Sequence, residues 1–462
     1  MMRMKCGILL IAFAACLSAS GTHAQTPAGI PDKAEECDKR AAQEKVAWAK
    51  SGPHDWVASD FNKQRVETGQ TWCHIWATNG YDRVHKGEDF GRVFLTGDGL
   101  HPTLGSIVPG SGLAGGLALN LDYAAKSHPV RFSGAVEARG SVNGFWEAGG
   151  TLNLLGSGKR LDDRHINVTL SAIHRELPQL TFFGLGNESS LANQSLFGLS
   201  DTTVGASGSI PLPKNFQILA GIEGLWAGPQ AFHGSTIPSI EQIFTPANTP
   251  ALNTSTGYFV YGAGIDWKYP LEECLQCWYK TDASAVFRSY VEGTGAPYSF
   301  RRFDVTWIQA FNLFPQARVD LGTFSITGRL LASFTSTGNQ VPFYLQPTLG
   351  GTDINNVDVL RSYRDYRFRT PNALDFQAEY THKIVDPLGL LLFYDVGKVA
   401  LARSDLDISH MKHSFGVGFT LRAGNSVLFK LYYAWGGPEG SHTTYTGNTN
   451  NFAADSNLRG VF

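Results

Sequence analysis

The side chains best suited to specific polar chemistry in this chain lie between Leu349 and Arg369, in the stretch LGGTDINNVDVLRSYRDYRFR. Its central charged residues are Asp358, Arg361, Arg364, Asp365, Arg367 and Arg369. Arginine binds carboxylates through a planar fork of donors, so the chemistry indicated is ion pairing. The stretch is too charged for a membrane strand, yet alternating apolar and polar segments flank it. A charged loop of about 20 residues within a compact domain indicates a functional element.

Hydrolytic chemistry is the alternative that the sequence favours least. There is no Gly-x-Ser-x-Gly nucleophile motif and no His-Glu-x-x-His zinc motif. His413 and Ser414 are adjacent, and neighbouring residues in a strand point to opposite faces, so they cannot form a nucleophile–base pair directly. His382 and His410 lack a partner at a recognisable spacing. We therefore expect no catalytic residue, no metal ligand and no cofactor.

The composition favours a β protein with many turns. The 462 residues include 51 glycines, 12% are aromatic, and only 17% are charged. The net charge of −2 excludes the basic surplus that a nucleic-acid partner requires.

An alternation of apolar and polar residues begins at about residue 92 and continues through most of the chain. In the segment 165–174, for example, Ile166, Val168 and Leu170 alternate with polar residues. The pattern recurs in residues 113–123, 131–139, 216–226, 257–269, 284–291, 302–311, 318–334, 374–381, 388–399, 414–421 and 426–435. A period of two predicts strands with one face in an apolar medium and the other in a polar one.

A membrane barrel explains this pattern better than a soluble sandwich. The segments have the length of about 10 residues that a membrane-crossing strand needs. Aromatic residues also gather at strand ends, as in the girdles at bilayer interfaces. These residues are Phe182, Phe183, Tyr258, Phe259, Phe393, Tyr394, Tyr432, Tyr433 and Trp435. We therefore predict an all-β fold, a transmembrane antiparallel β-barrel of about 16 strands over residues 92–462. Residues 228–253 and 436–451 are predicted to be long surface loops.

Residues 1–24 are predicted to form a signal peptide. Arg3 and Lys5 precede an apolar region over residues 7–17, and Thr22-His23-Ala24 is a small-residue cleavage site. A lipoprotein signal ending at Cys16 is the less fitting alternative. Export together with a barrel predicts a bacterial outer-membrane protein.

Residues 25–91 are predicted to be a periplasmic segment. The stretch 33–50 is rich in Ala, Glu and Lys, which predicts a helix. Two interpretations stay open: a small, partly helical segment that packs on or plugs the barrel, and a flexible leader with one helix.

Four cysteines follow the signal peptide: Cys37, Cys73, Cys274 and Cys277. An even number in an oxidising compartment favours disulfides, and the simplest pairs are Cys37–Cys73 and Cys274–Cys277. The spacing of Cys274 and Cys277 also occurs in redox and zinc motifs, but no second ligand pair accompanies it.

The order of several motifs resembles the bacterial surface antigen family, which contains the BamA and TamA assembly barrels and the two-partner secretion transporters. Leu360-Arg361-Ser362-Tyr363 is similar to the Val-Arg-Gly-Tyr tetrad of the family's sixth extracellular loop. Phe393-Tyr394-Asp395-Val396-Gly397 is similar to its Phe-x-Asp-x-Gly strand. Residues 184–190 and 413–419 and the terminal Phe462 also match the family's pattern. The resemblance covers most of residues 100–462.

The resemblance implies that the loop folds into the lumen and that Arg361 meets Asp395 on the wall. Arg361, Ser362, Tyr363, Asp395 and Gly397 would then form the contact. Loss of one partner of such a pair costs about 3–5 kcal/mol when it is fully buried. Two interpretations remain: a latch that holds the loop in the barrel, and a structural salt bridge with no gating role.

Two departures from the family bear on function. Ser362 stands where the family has Gly, and a left-handed backbone there would cost about 1 kcal/mol. Residues 25–91 are also too short and too poor in strands for the family's POTRA domain, which counts against an insertase.

Three functions remain open. The first is a translocation or assembly barrel that opens at a weak seam formed by its polar last segment, 451–462. The second is a passive channel, and the third, least favoured, is a barrel-embedded hydrolase. The expected partners are outer-membrane lipids and lipopolysaccharide and, for the first function, an exported or membrane-inserted polypeptide.

Overall fold

A computed structural model describes residues 33–50, 66, 100–124, 131–155, 166–232, 236–270, 277–314, 321–385, 387–423, 426–436, 439 and 442–447. The chain forms two units, Met1–Lys86 and Gly87–Phe462. In the first unit, helix α1 (Lys33–Lys50) occupies the stretch for which the composition predicts a helix. No helix within the described ranges is long and apolar enough to cross a membrane. The predicted signal peptide, Cys16 and most of the segment 25–91 lie outside these ranges.

Sixteen strands of the second unit form one antiparallel sheet, which confirms the predicted barrel fold. They are β1 (Leu100–Gly105), β2 (Ala114–Ala124), β3 (Arg131–Ser141), β4 (Trp146–Leu155), β5 (Asn167–Phe182), β6 (Ser195–Pro211), β7 (Phe216–Gln230), β8 (Thr256–Tyr269), β9 (Tyr279–Glu292), β10 (Phe300–Asn312), β11 (Gly322–Thr335), β14 (Asn372–Val385), β15 (Leu388–Ala400), β16 (Lys412–Ala423), β17 (Ser426–Trp435) and β18 (His442–Gly447). Each strand pairs with the next, and β1 and β18 end the order; no pairing between these two strands falls within the described residues. A short helix α2 (Ile240–Ile243) lies between β7 and β8, and the two-residue strands β12 (Thr348–Leu349) and β13 (Phe368–Arg369) pair within the connection from β11 to β14.

The two faces of the sheet differ in polarity, as the period of two predicts. In β16, Phe415 and Phe419 are exposed, whereas Ser414 and Thr420 are buried. Exposed apolar side chains recur on the outer face of most strands: Leu119, Val136, Val168, Ile222, Phe259, Phe287, Trp307, Phe376, Leu392, Phe419 and Leu431. Water contact over such a surface would be costly at about 25 cal/mol per Å², so the outer face suits lipid. The inner face carries charged residues.

Four of the sixteen strands were not predicted, namely β1, β4, β6 and β18. In β4 and β6, glycines obscure the alternation, because glycine has no side chain that marks a position as apolar or polar. A Cβ on Gly149 of β4 would lie 2.7 Å from the carbonyl oxygen of Ala172, and one on Gly205 of β6 would lie 2.9 Å from that of Ile222. Glycine is therefore required for close strand contact there.

Two loop predictions are corrected at their boundaries. Strand β7 extends to Gln230, into the predicted loop 228–253. Strand β18 lies inside the predicted loop 436–451, where Thr443 pairs with Tyr433. Polar residues in β18 (HTTYTG) hid the alternation. The polar segment 451–462 that was predicted as the last strand lies outside the described residues.

The aromatic girdle is only half correct. Phe259, Tyr394 and Tyr433 face outward, but Phe182 and Phe183 are buried. Tyr258, Phe393 and Tyr432 are buried as well. Adjacent residues of a strand point to opposite faces, so Tyr258–Phe259, Phe393–Tyr394 and Tyr432–Tyr433 each supply one inward and one outward ring. Phe183 follows the end of β5, and both rings of its pair are buried.

An apolar cluster lies at the end of the sheet where β5 leads into β6 and β11 into β14. Phe343, from the latter connection, packs edge-on against Phe182 at 5.3 Å and against Phe197 at 4.9 Å between ring centroids. Phe244, between β7 and β8, packs against Phe182 at 4.8 Å. This cluster fixes the start of the charged connection against the wall.

Candidate functional site: the lumen loop and its wall

The residues 336–371 between β11 and β14, here called the lumen loop, include the charged stretch. Its two arms pair as β12 and β13, with Leu349 opposite Phe368. Gly350 and Gly351 then turn the chain with φ values of +112° and +59°. A Cβ on Gly351 would lie 2.8 Å from the backbone nitrogen of Asp365, so only glycine fits. The loop is thus a folded element in its own right.

The tip of the lumen loop places Arg361 against Asp395 of β15. The Nε of Arg361 donates to Oδ2 of Asp395 at 3.0 Å, and its Nη2 donates to Oδ1 at 2.7 Å. The backbone amide of Arg361 also donates to Oδ2, at 3.1 Å. The exposed fractions of the two residues are 1% and 0%. This is a bidentate, fully buried ion pair with a third bond from the main chain.

Three further side chains surround the guanidinium. Its Nη1 donates to Oε2 of Glu379 on β14 at 2.7 Å. The guanidinium lies 3.6 Å from the ring centroid of Phe393 and 5.8 Å from that of Tyr432. Burial disfavours the charge, but Asp395 and Glu379 outweigh burial and raise the pKa of Arg361 above its ordinary value. Arg361 therefore stays charged at any physiological pH.

The strand period explains why the wall residues converge. Phe393 and Asp395 are two residues apart on β15 and share its inner face. Glu379 of β14 lies opposite Phe393 in the register. Sequence reasoning missed Glu379, although Asp375, Gln377 and Glu379 occupy alternate positions of a predicted strand. That alternation was the available signal.

The other predicted residues of the contact also lie at the wall. The amide of Ser362 donates to Oγ of Ser414 at 2.8 Å, and its hydroxyl donates to the carbonyl of Gly436 at 3.3 Å. Tyr363 is buried and packs against Phe368 with 5.2 Å between ring centroids. A Cβ on Gly397 would lie 3.0 Å from Cδ1 of Leu349 and 3.5 Å from Cδ1 of Leu360. Gly397 therefore lets the loop approach the wall.

The expected strain at Ser362 is absent, because Ser362 does not have a positive φ; the left-handed residue is Leu360, two positions earlier, at φ +52°. Replacing Ser362 with Gly, the family's residue, should lower the free energy of unfolding by about 1 kcal/mol. The hydroxyl bond to Gly436 is lost and the unfolded chain gains freedom. Urea unfolding in detergent measures the change. Ser362→Ala separates the two causes, and an increase in stability with Gly would contradict this account.

A segment after β5 also forms hydrogen bonds with the lumen loop. The amide of Gly186 donates to the carbonyl of Arg369 at 3.0 Å. Arg367 donates to both the hydroxyl and the carbonyl of Ser189 at 2.6 Å, and its Nε donates to Glu439 at 2.6 Å. Residues 184–190 were noted in the sequence only for their resemblance. Their contacts make them a second attachment of the loop.

The other two arginines of the lumen loop also have defined neighbours. Arg364 donates to Oε1 of Gln194 at 2.8 Å. Arg369 donates to the carbonyl of Phe343 at 2.8 Å. The predicted disulfides remain predictions, because Cys73 and Cys274 lie outside the described residues.

Comparison with known structures finds similar barrels. The chain resembles BamA from Haemophilus ducreyi lacking POTRA domains 1–3, with a TM-score of 0.52 and 11% identity over 75% of this chain and 69% of that one. CdiB from Acinetobacter baumannii and CdiB from Escherichia coli also match, with 11% and 12% identity and TM-scores of 0.42 and 0.44. This chain covers 58% and 61% of their lengths. Neither a family model nor a curated protein sequence matches. The chain thus has the fold of a BamA-type barrel.

Proposed function

We propose that this chain is an outer-membrane barrel that secretes or assembles polypeptides and is held shut by its lumen loop. The observation that carries the proposal is the buried fork of Arg361 on Asp395. It ties the tip of the loop to a wall strand by three bonds to one buried carboxylate. The likeness in fold to BamA supports this class of function.

The outer face supports the membrane location. Exposed apolar residues such as Val136, Ile222 and Phe419 would contact outer-membrane lipids and lipopolysaccharide. In this arrangement the segment 25–91 lies in the periplasm, where a polypeptide substrate arrives.

The distribution of contacts supports a latch that can open rather than a structural salt bridge with no gating role. The tip of the loop is held by charged and polar bonds from Arg361 and Ser362, whereas its apolar contacts come from Leu349, Leu360 and Tyr363. Loss of the ion pair would remove the charged bonds of the tip and so favour its release. A substrate that competes for Asp395 could trigger this release.

A passive channel is the competing function, with the lumen loop as its constriction. The charged inner face is compatible with it. The two functions differ in whether the loop must leave the wall, and this difference can be tested.

A reversible crosslink tests the proposal. Ser362 and Ser414 are in direct contact through the amide of Ser362, so a Ser362→Cys, Ser414→Cys variant can fix the tip to β16. In a deletion strain, the wild-type gene should restore the levels of secreted or outer-membrane proteins. The crosslinked variant should fail to restore them until a reductant is added.

The single variants Ser362→Cys and Ser414→Cys are the controls, because they keep the native cysteines but cannot form the bridge. Full activity of the crosslinked barrel would contradict release of the loop. An unchanged proteome in the deletion strain together with reduced solute uptake would favour the passive channel.

A further inference from the structure

A cavity of about 660 Å³ lies inside the sheet, below the lumen loop. Its lining combines wall residues with loop residues, including Arg302 on β10 and Gln346 and Arg369 on the loop. Several buried polar atoms at this lining have no hydrogen-bond partner among the described residues. They are Nη1 of Arg175, Oδ1 of Asp304, Oε1 of Gln346 and Nε of Arg369. The cavity therefore presents polar groups of the protein that are not satisfied within it.

Arg369 is unusual because its buried guanidinium lies among aromatic rings. It is 5% exposed, and among the described residues its side chain donates one hydrogen bond, from Nη1 to the carbonyl of Phe343 at 2.8 Å. The guanidinium lies about equally far from three rings, 5.9 Å from Phe182, 5.8 Å from Phe197 and 6.0 Å from Phe343. No carboxylate pairs with it within the described part of the chain. Burial lowers the pKa of Arg369 to about 10, with Tyr366 opposing the change, which leaves it charged at neutral pH.

Arg302 is in a similar position. It is 8% exposed, and it donates to Oγ of Ser333 at 3.3 Å and to the carbonyl of Leu345 at 2.8 Å. It also has no carboxylate partner in the described ranges. Arg302 and Arg369 thus bond to carbonyls two residues apart on the same turn, Phe343–Leu345.

The other arginines at the cavity are neutralised. Arg175 pairs with Asp201 at 2.7 Å, and Arg288 pairs with Asp304. Arg329 pairs with Asp375 at 3.1 Å. Two further carboxylates line the cavity, Glu223 and Asp353, and they interact electrostatically with Arg288 and Arg329. Among the described residues, Arg302 and Arg369 are therefore the two lining arginines without a carboxylate in ion-pair contact. Water can satisfy their hydrogen bonds but not their charge, and an unpaired buried charge is costly.

We propose that this cavity binds a small oxyanion, a carboxylate or phosphate group, with Arg302 and Arg369 as its cationic ligands. The volume lies within the range of about 300–1,000 Å³ that is usual for small-molecule sites. The site goes beyond secretion or assembly, because it requires no polypeptide.

The position of the two arginines links binding to the latch. Arg302 belongs to the wall and Arg369 to the loop, so the complete site exists only while the loop is in the lumen. An anion that binds there stabilises the latched state by mass action. Small anions would accordingly oppose loop release.

Calorimetric titration of the folded full-length chain in detergent at low salt tests this proposal. The probes are inorganic phosphate and citrate, which distinguish phosphate from carboxylate. We expect saturable binding of at least one probe, and a loss of affinity of about tenfold in Arg369→Gln and in Arg302→Gln, since each removes one charged donor. Arg403→Gln is the matched control, because Arg403 donates to the carbonyl of Ser333 at 3.0 Å but does not line the cavity.

Heat-modifiable migration on gels verifies that each variant is folded, and Arg369→Lys tests for charge alone. Wild-type protein that binds neither probe saturably would overturn the proposal. Equal affinity in wild type and both Gln variants would overturn it as well. These outcomes leave the secretion or assembly proposal untouched, because that proposal rests on Arg361 and Asp395.

Discussion

Replacing Asp395 with alanine is expected to lower the free energy of unfolding by about 3 kcal/mol and to make the lumen loop sensitive to trypsin. The substitution removes three bonds from Arg361, each of 3.1 Å or less, and leaves a buried guanidinium. Breaking a fully buried pair costs about 3–5 kcal/mol, and Glu379, which keeps its bond to Arg361, favours the lower end. Trypsin cleaves after arginine, so a released tip exposes several cleavage sites, among them Arg361 and Arg364.

Asp375→Ala is the matched control for this experiment. Asp375 is also fully buried and pairs with Arg329 at 3.1 Å, but both residues belong to wall strands. Its loss should reduce stability without exposing the loop to trypsin. If Asp395→Ala resists trypsin as well as Asp375→Ala does, the Arg361–Asp395 pair is only a structural salt bridge. The latch interpretation would then be wrong.

The barrel could be predicted from sequence because its physical cause is periodic. A bilayer outside and a polar lumen inside impose alternation on every strand, and β16 with Ser414, Phe415 and Phe419 obeys it fully. Alternation is obscured where a strand position must meet a second structural requirement. In β4 and β6 that requirement is close strand contact, which selects Gly149 and Gly205.

The site was predictable only where a motif marked it. Arg361 and Asp395 stand in recognisable tetrads, but Glu379 and Ser189 do not, and their roles depend on the register between strands that are distant in sequence. Phe393 shows a different limit. It was assigned to the membrane girdle, although Asp395 two residues later shares its face and points inward. The period of two already excludes a girdle role for a residue on the same face as the lumen aspartate.

Two separate apolar clusters hold the first part and the tip of the lumen loop. This separation determines which part of the loop can move when the ion pair breaks. Val341, Phe343 and Tyr344 belong to the apolar cluster that packs on β5 and β6. The tip, with Leu360 and Tyr363, packs in a separate cluster against β14 and β15. Loss of the ion pair removes the bonds of the tip to Asp395, while the Phe343 cluster and the bonds of Arg367 to Ser189 remain. We therefore expect the tip to move away from the wall while the first part of the loop stays in place.

Arg361→Ala is expected to convert a closed barrel into one with brief, repeated ion-conducting openings in planar bilayers. Removal of the guanidinium eliminates the bonds to Asp395 and Glu379. It leaves the buried carboxylate of Asp395 without its cation, which favours entry of water, whereas Glu379 keeps Lys430 at 3.7 Å. A loss of about 3 kcal/mol of latch energy raises the population of the released tip about 100-fold, since each 1.4 kcal/mol is tenfold. Openings should be brief because Phe343 and its cluster still anchor the first half of the loop.

The control for conductance is Arg364→Ala, which removes the same charge from the same loop at a residue bonded only to Gln194 among the described residues. It should stay closed like the wild type. Large, steady pores in the wild type that Arg361→Ala leaves unchanged would contradict the latch and favour a passive channel. Flickering openings in Arg361→Ala that the Ser362–Ser414 crosslink suppresses would tie conduction to movement of the tip itself, because the crosslink restrains the tip without restoring the ion pair.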